Sequence, residues 1–72
     1  MWVRYEGKVK YSTTHEWYEV EINGCIAFVR GASLDENQAF AIVALYFSDF
    51  DIESMFSEIQ VDRKHDVITY EG

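Results

Sequence analysis

Apolar and polar residues alternate through most of the first 30 positions of this chain. Tyr18, Val20 and Ile22 interleave with Trp17, Glu19 and Glu21. After Asn23-Gly24 the alternation resumes, with Cys25, Ala27 and Val29 set against Ile26, Phe28 and Arg30. Asn-Gly between two alternating runs marks a two-residue type I′ hairpin, because both central residues must take φ > 0. So short a turn fixes the register. Ile22 then faces Cys25, Val20 faces Ala27 and Tyr18 faces Val29 on a uniformly apolar side, which is predicted core. On the other side Glu21 faces Ile26, Glu19 faces Phe28 and Trp17 faces Arg30. That mixture suits a solvent face with a cation-π pair, or a partly covered recognition face.

Upstream, Val3, Tyr5, Val9 and Tyr11 alternate with Trp2, Arg4, Glu6, Lys8 and Lys10, and Gly7 marks a bulge or tight bend. Antiparallel pairing of this strand with the next, through the loop Ser12 to His15, sets Lys8 and Lys10 near Glu19 and Glu21. The bases are then used internally.

The period changes after Gly31. Ala39, Ile42, Val43, Tyr46 and Phe47 recur at helical spacing. Ser33 with Glu36 reads as a capping box, and Asp35 and Glu36 suit the positive end of a helix dipole. A helix is predicted over Leu34 to Ser48. Phe40, Ala41, Ala44 and Leu45 widen its apolar stripe beyond what one sheet face covers, so the C-terminal segment or a second copy must cover the rest. Two periods compete from Asp49 onward. Ile52, Met55, Phe56 and Ile59 fit a helical face, whereas Ser57, Ile59 and Val61 fit a strand; a strand over Met55 to Val61 is preferred because Val67, Ile68, Thr69 and Tyr70 read as its return. The fold class is therefore α+β: one domain over residues 1–72, a small antiparallel sheet of four or five strands in the order βββαββ, one helix on one face. Tyr18, Val20, Ile22, Ala27 and Val29 should meet Ile42, Val43, Tyr46 and Phe47 as the core.

Composition supports a folded body. Apolar residues make up 49% of the 72 and aromatics 17%, too many for a disordered tail. A chain this small has room for one modest core, and so many large side chains on it favour self-association or a protein partner. Pro is absent, no repeat or linker is visible, and Cys25 is the only cysteine. With no basic-then-apolar leader and no apolar run near the roughly 18 residues of a membrane span, the expectation is a cytoplasmic protein away from the bilayer.

Charge changes the picture most. Asp35, Glu36, Asp49, Asp51, Glu53, Glu58 and Asp62 follow one another with no Lys or Arg between Gly31 and Asp62, in a chain of net charge −7. A surface of one sign repels phosphate and attracts basic partners, so direct nucleic-acid binding is disfavoured, although Arg4, Lys8, Lys10, Arg63 and Lys64 could form a small patch.

Candidate chemistry adds little. An active thiol at Cys25, with His15 or His65 as base, needs an electropositive site, and this chain is acidic; no catalytic residue is assigned. Asp49 with Asp51, or Asp62, His65 and Asp66, are the nearest approach to metal ligands, but no glycine-bearing run of oxygen ligands follows, and they read as solvated loop groups. Gly24 and Gly31 serve a turn and a helix approach, so no phosphate loop and no cofactor is expected.

The acidic segment remains. In an extended chain every second side chain points the same way at about 6.5 to 7 Å, so Asp49, Asp51 and Glu53 would present charges spaced as phosphates are on a single strand. Asp49, Phe50, Asp51, Glu53, Phe56 and Glu58 are accordingly the expected partner-binding residues, the carboxylates steering and the rings anchoring. In size, acidity and want of a catalytic motif the chain resembles small phage-encoded inhibitors of host defence, such as anti-CRISPR and anti-restriction proteins; the likeness is compositional and transfers no residues. It implies a non-enzymatic inhibitor that blocks a basic, nucleic-acid-handling protein by mimicking nucleic acid. The alternatives are a structural or regulatory homodimer through Phe40, Ala44 and Leu45, and a small-molecule-binding subunit with a pocket lined by Trp17, Phe28, His15 or Cys25.

Overall fold

The structure is a computed structural model, and it describes residues 6–71. The strand positions expected at Trp2, Val3, Arg4 and Tyr5 lie outside the described residues. The elements are β1 (Gly7–Ser12), β2 (Trp17–Ile22), β3 (Cys25–Arg30), α1 (Glu36–Phe47), α2 (Ile52–Met55), β4 (Ile59–Asp62) and β5 (Val67–Tyr70). They build a two-layer α+β domain: one five-stranded sheet, ordered β1-β2-β3-β5-β4, with α1 packed across one face.

The turn chemistry acts as the sequence predicts. Asn23 and Gly24 take φ 52° and 83°, and the register pairs Ile22 with Cys25, Val20 with Ala27 and Tyr18 with Val29. β1 pairs with β2 so that Lys8 lies opposite Glu21 and Lys10 opposite Glu19. The core consists of Val20, Ile22, Ala27 and Val29 from the hairpin, Ala39 and Val43 from α1, and Ile52, Ile59 and Ile68. Ile42, Tyr46 and Phe47 pack on it half-buried.

Four details differ from the sequence reading. The sheet is mixed, because β5 and not β4 lies beside β3, and that one pairing is parallel, Val29 opposite Ile68. Hydrophobicity accounts for the choice: β5 buries Ile68 fully and half-buries Val67, Thr69 and Tyr70, whereas β4 exposes Gln60 and Asp62 and suits an edge.

Second, α1 is capped by Asp35, not Ser33. Asp35 Oδ1 accepts the Gln38 N–H at 2.8 Å, and the Gln38 amide oxygen accepts the Asp35 N–H at 3.0 Å. This is the reciprocal box, begun two residues later because Leu34 is drawn half-buried against the core and its N–H turns back to the Gly31 carbonyl.

Third, the competing periods after Asp49 are both used. A single helical turn covers Ile52–Met55 and burial of Ile52 fixes it, and the strand is confined to Ile59–Asp62. Fourth, Cys25 is exposed at the hairpin tip instead of buried in the packed face. Alternation assigns it to the right side of the ribbon, but no layer reaches that end.

Most of the wide apolar stripe of α1 is covered within the chain, with Ala41 left exposed. Phe40 lies over Gly7 of β1, and Phe40, Ala44 and Leu45 are all half-buried against the core. The stretch between α1 and β4 covers the other flank.

Candidate functional site

That stretch is the acidic segment. α1 ends in a Schellman motif: the Phe50 N–H reaches the Leu45 carbonyl at 3.2 Å, and the Asp49 N–H reaches that of Tyr46 at 3.3 Å. Asp49 takes the left-handed position of this motif, φ 64°, normally a glycine's. Two residues on, the Asp51 carboxylate caps α2, accepting the Ser54 N–H at 3.3 Å and the Ser54 hydroxyl at 2.9 Å. The hydroxyl first, and the N–H second, hold Asp51 below the ordinary carboxylate range. Glu53 Oε2 accepts the Val61 N–H at 3.3 Å, and Glu58 accepts the Ser57 hydroxyl at 3.1 Å.

The evenly spaced row expected of Asp49, Asp51 and Glu53 is therefore absent. It needs extended backbone, and α2 replaces it with a helical turn. The six expected contact residues nevertheless stay outside the core: Asp49, Phe50, Asp51, Glu53, Phe56 and Glu58 are all exposed. Phe50 is 50% exposed, Met55 49% and Phe56 37%, so most of the large apolar side chains left open among the described residues fall in this one segment. Phe56 and Glu58 border a small apolar groove with Leu34, Ala41, Leu45 and Tyr70. Among the described residues no Lys or Arg lies within 4 Å of a carboxylate. Asp51, Glu53 and Glu58 are hydrogen-bonded in place, and among the described residues Arg63 acts on Asp51 only from beyond ion-pair distance.

The other candidate groups are dispersed. Asp62 holds His65, Oδ2 to Nδ1 at 2.9 Å, and that contact first pulls Asp62 below the ordinary carboxylate range. Asp66 turns away from them and accepts the Tyr46 hydroxyl at 2.7 Å. Among the described residues no three His, Cys, Asp or Glu side chains gather as a metal site would require. Cys25 and His15 stand at opposite ends of the six-residue strand β2, roughly 17 to 20 Å apart at the rise of a strand.

The uncovered face of the sheet holds an arrangement that the alternation only hinted at. The Trp17 ring stacks on His15 at 4.6 Å and on Phe28 at 4.7 Å, with the Arg30 guanidinium 5.3 Å from its centroid. Sequence placed Trp17, Phe28 and Arg30 on one face, but it could not show that no layer of the described residues packs over them.

No helix of the described residues is long and apolar enough to cross a membrane. No family model matches the chain, and neither the curated proteins nor the solved structures contain a significant match.

Proposed function

We propose that this protein is a non-enzymatic, cytoplasmic binding module that captures a basic partner through the segment Asp49 to Glu58. One observation carries the reading: Phe50, Met55 and Phe56 are exposed among Asp49, Asp51, Glu53 and Glu58, and among the described residues none of these carboxylates has a Lys or Arg within 4 Å. Exposed apolar anchors rimmed by one sign of charge are the composition of a recognition surface, the rim steering the encounter and the anchors holding it. A partner built to bind nucleic acid has the complementary charge, so occupancy by this segment would inhibit it, as small anti-CRISPR and anti-restriction proteins inhibit theirs. The mimicry is one of charge, without the regular spacing of phosphates.

The homodimer reading has less support, because Phe40, Ala44 and Leu45 already pack on their own core.

The test is capture of basic proteins from the native host by tagged protein, identified by mass spectrometry, against two variants. Asp49→Asn with Glu58→Gln removes two charges that fold the segment least, and Phe56→Ala removes an anchor. Both should lose the captured protein while keeping the native thermal midpoint to within a few degrees, and raised salt should weaken capture by the native protein. Capture that ignores both variants and salt, or no basic protein captured at all, overturns the reading.

A further inference from the structure

The open face of the sheet carries a depression of about 910 Å³, lined by Trp17, Phe28, Val67, Arg30, Lys10 and the two histidines. That is the size of a small-ligand site. Its floor is a fixed aromatic surface, since Trp17 is stacked on both His15 and Phe28 and half-buried. His15 is itself held. The Ser12 hydroxyl accepts the His15 backbone N–H at 3.3 Å and lies 3.1 Å from Nδ1. If that hydroxyl donates to Nδ1, Nε2 carries the proton and remains a free donor.

Arg30 supplies the polar handle. Thirteen carboxylates outnumber six Lys and Arg in this chain, yet Arg30 has no carboxylate within 4 Å among the described residues. Its guanidinium is instead set over the Trp17 ring, with Nη2 donating to the His15 carbonyl at 3.4 Å. A guanidinium has five N–H donors in a rigid fork, and most of these stay available. Of the two acids in the lining, Asp62 is held on His65, and Glu19 stands opposite Lys10 in the strand register without an ion pair within 4 Å.

We propose that this depression binds a small planar aromatic anion, its ring against Phe28 beside the stack of Trp17 on His15 and its carboxylate or phosphate at Arg30. The stacked rings favour a flat partner, and the unpaired guanidinium favours a negative one. The net charge of −7 disfavours a nucleic-acid strand, with its many phosphates, more than a small ligand of one or two charges.

The site is tested by titrating the 15N-labelled full chain with indole-3-carboxylate and with adenosine 5′-monophosphate, against neutral indole and adenosine, following the Trp17 indole N–H. At least one anion should shift that signal saturably and bind about tenfold tighter than its neutral counterpart, as a charge-assisted contact requires. The arm that saturates decides between carboxylate and phosphate. Arg30→Gln should abolish the preference for the anion, and Phe28→Ala should weaken anion and neutral ring alike. Arg30 is exposed, so its variant decides the matter even if Phe28→Ala unfolds. No saturable shift with either anion up to about 1 mM, equal binding of the neutral ring, or an anion preference that survives Arg30→Gln overturns the proposal.

Discussion

The Glu53 side chain reaches β4 and accepts the backbone N–H of Val61 at 3.3 Å. β4 is an edge of the sheet, so that N–H points away from its only neighbour, and edge donors of this kind invite pairing with another chain. Glu53 thus belongs to the fold as well as to the acidic surface. Glu53→Ala should speed hydrogen exchange at Val61 and raise concentration-dependent association, with a modest loss of stability of about 0.5 to 1 kcal/mol. Glu53→Gln keeps an acceptor oxygen and should restore protection. Unchanged exchange in Glu53→Ala would show that the contact protects nothing.

Asp49 offers a way to separate stability from recognition. It occupies the left-handed position that closes α1, where a side chain with a Cβ is disfavoured and glycine is not. Asp49→Gly should therefore raise stability, by about 0.5 to 1 kcal/mol, while removing a charge from the binding segment. Chemical denaturation should show a higher midpoint with an unchanged slope. If capture of the basic partner falls in this more stable variant, the loss belongs to the surface and not to the fold.

How much of this was legible beforehand differs by element. The β2–β3 register followed from Asn23-Gly24, because a two-residue turn with both φ positive leaves one alignment, and the nearness of Lys8 and Lys10 to Glu19 and Glu21 followed from antiparallel pairing of the first two strands, whose register the structure supplies. Insertion of β5 beside β3 was only half legible: Val67–Tyr70 is the less polar of the two short strands, but local pattern does not say that a crossover pairs it parallel with β3. The helical period at Ile52, Met55 and Phe56 yields to a strand in the sequence because four residues are too few for periodicity to decide, although Asp51 and Ser54 stand at cap spacing. At the candidate site, sequence named Phe50 and Phe56 as apolar between acids; only packing shows that they stay outside the core. For Trp17, Phe28 and Arg30 it gave the shared face, and the missing cover is a property of the whole fold.

Cys25 separates the sequence expectation from the structure most directly. A thiol in the middle of the packed hairpin face would resist modification until the protein unfolds, whereas the exposed thiol at the hairpin tip should not. An aromatic disulfide reagent should titrate one thiol in the native protein at a rate close to that in denaturant. Cys25→Ser should leave the thermal midpoint nearly unchanged, because no core contact is lost.

Tyr46 and Asp66 tie α1 to the turn before β5, hydroxyl to carboxylate at 2.7 Å. Burial first, then the Asp66 carboxylate, raises the Tyr46 hydroxyl above its ordinary 10.0. A group whose folded-state value is raised favours the protonated form in the native state. Its contribution is complete below the unfolded value, near 10, and is lost as pH rises past 10 through the folded value. The native protein should accordingly lose more stability between pH 9 and pH 11 than Tyr46→Phe does. At pH 7, where that contribution is complete, Tyr46→Phe is the weaker by about 1 kcal/mol, the net worth of one hydrogen bond plus an acceptor left to solvent. Asp66 takes φ 54°, a position that Asn tolerates, so Asp66→Asn keeps the turn and an acceptor but removes the charge. In that variant the tyrosine absorbance titration should shift toward lower pH, and a titration that does not move would detach the raised value from Asp66 and leave burial alone as its cause.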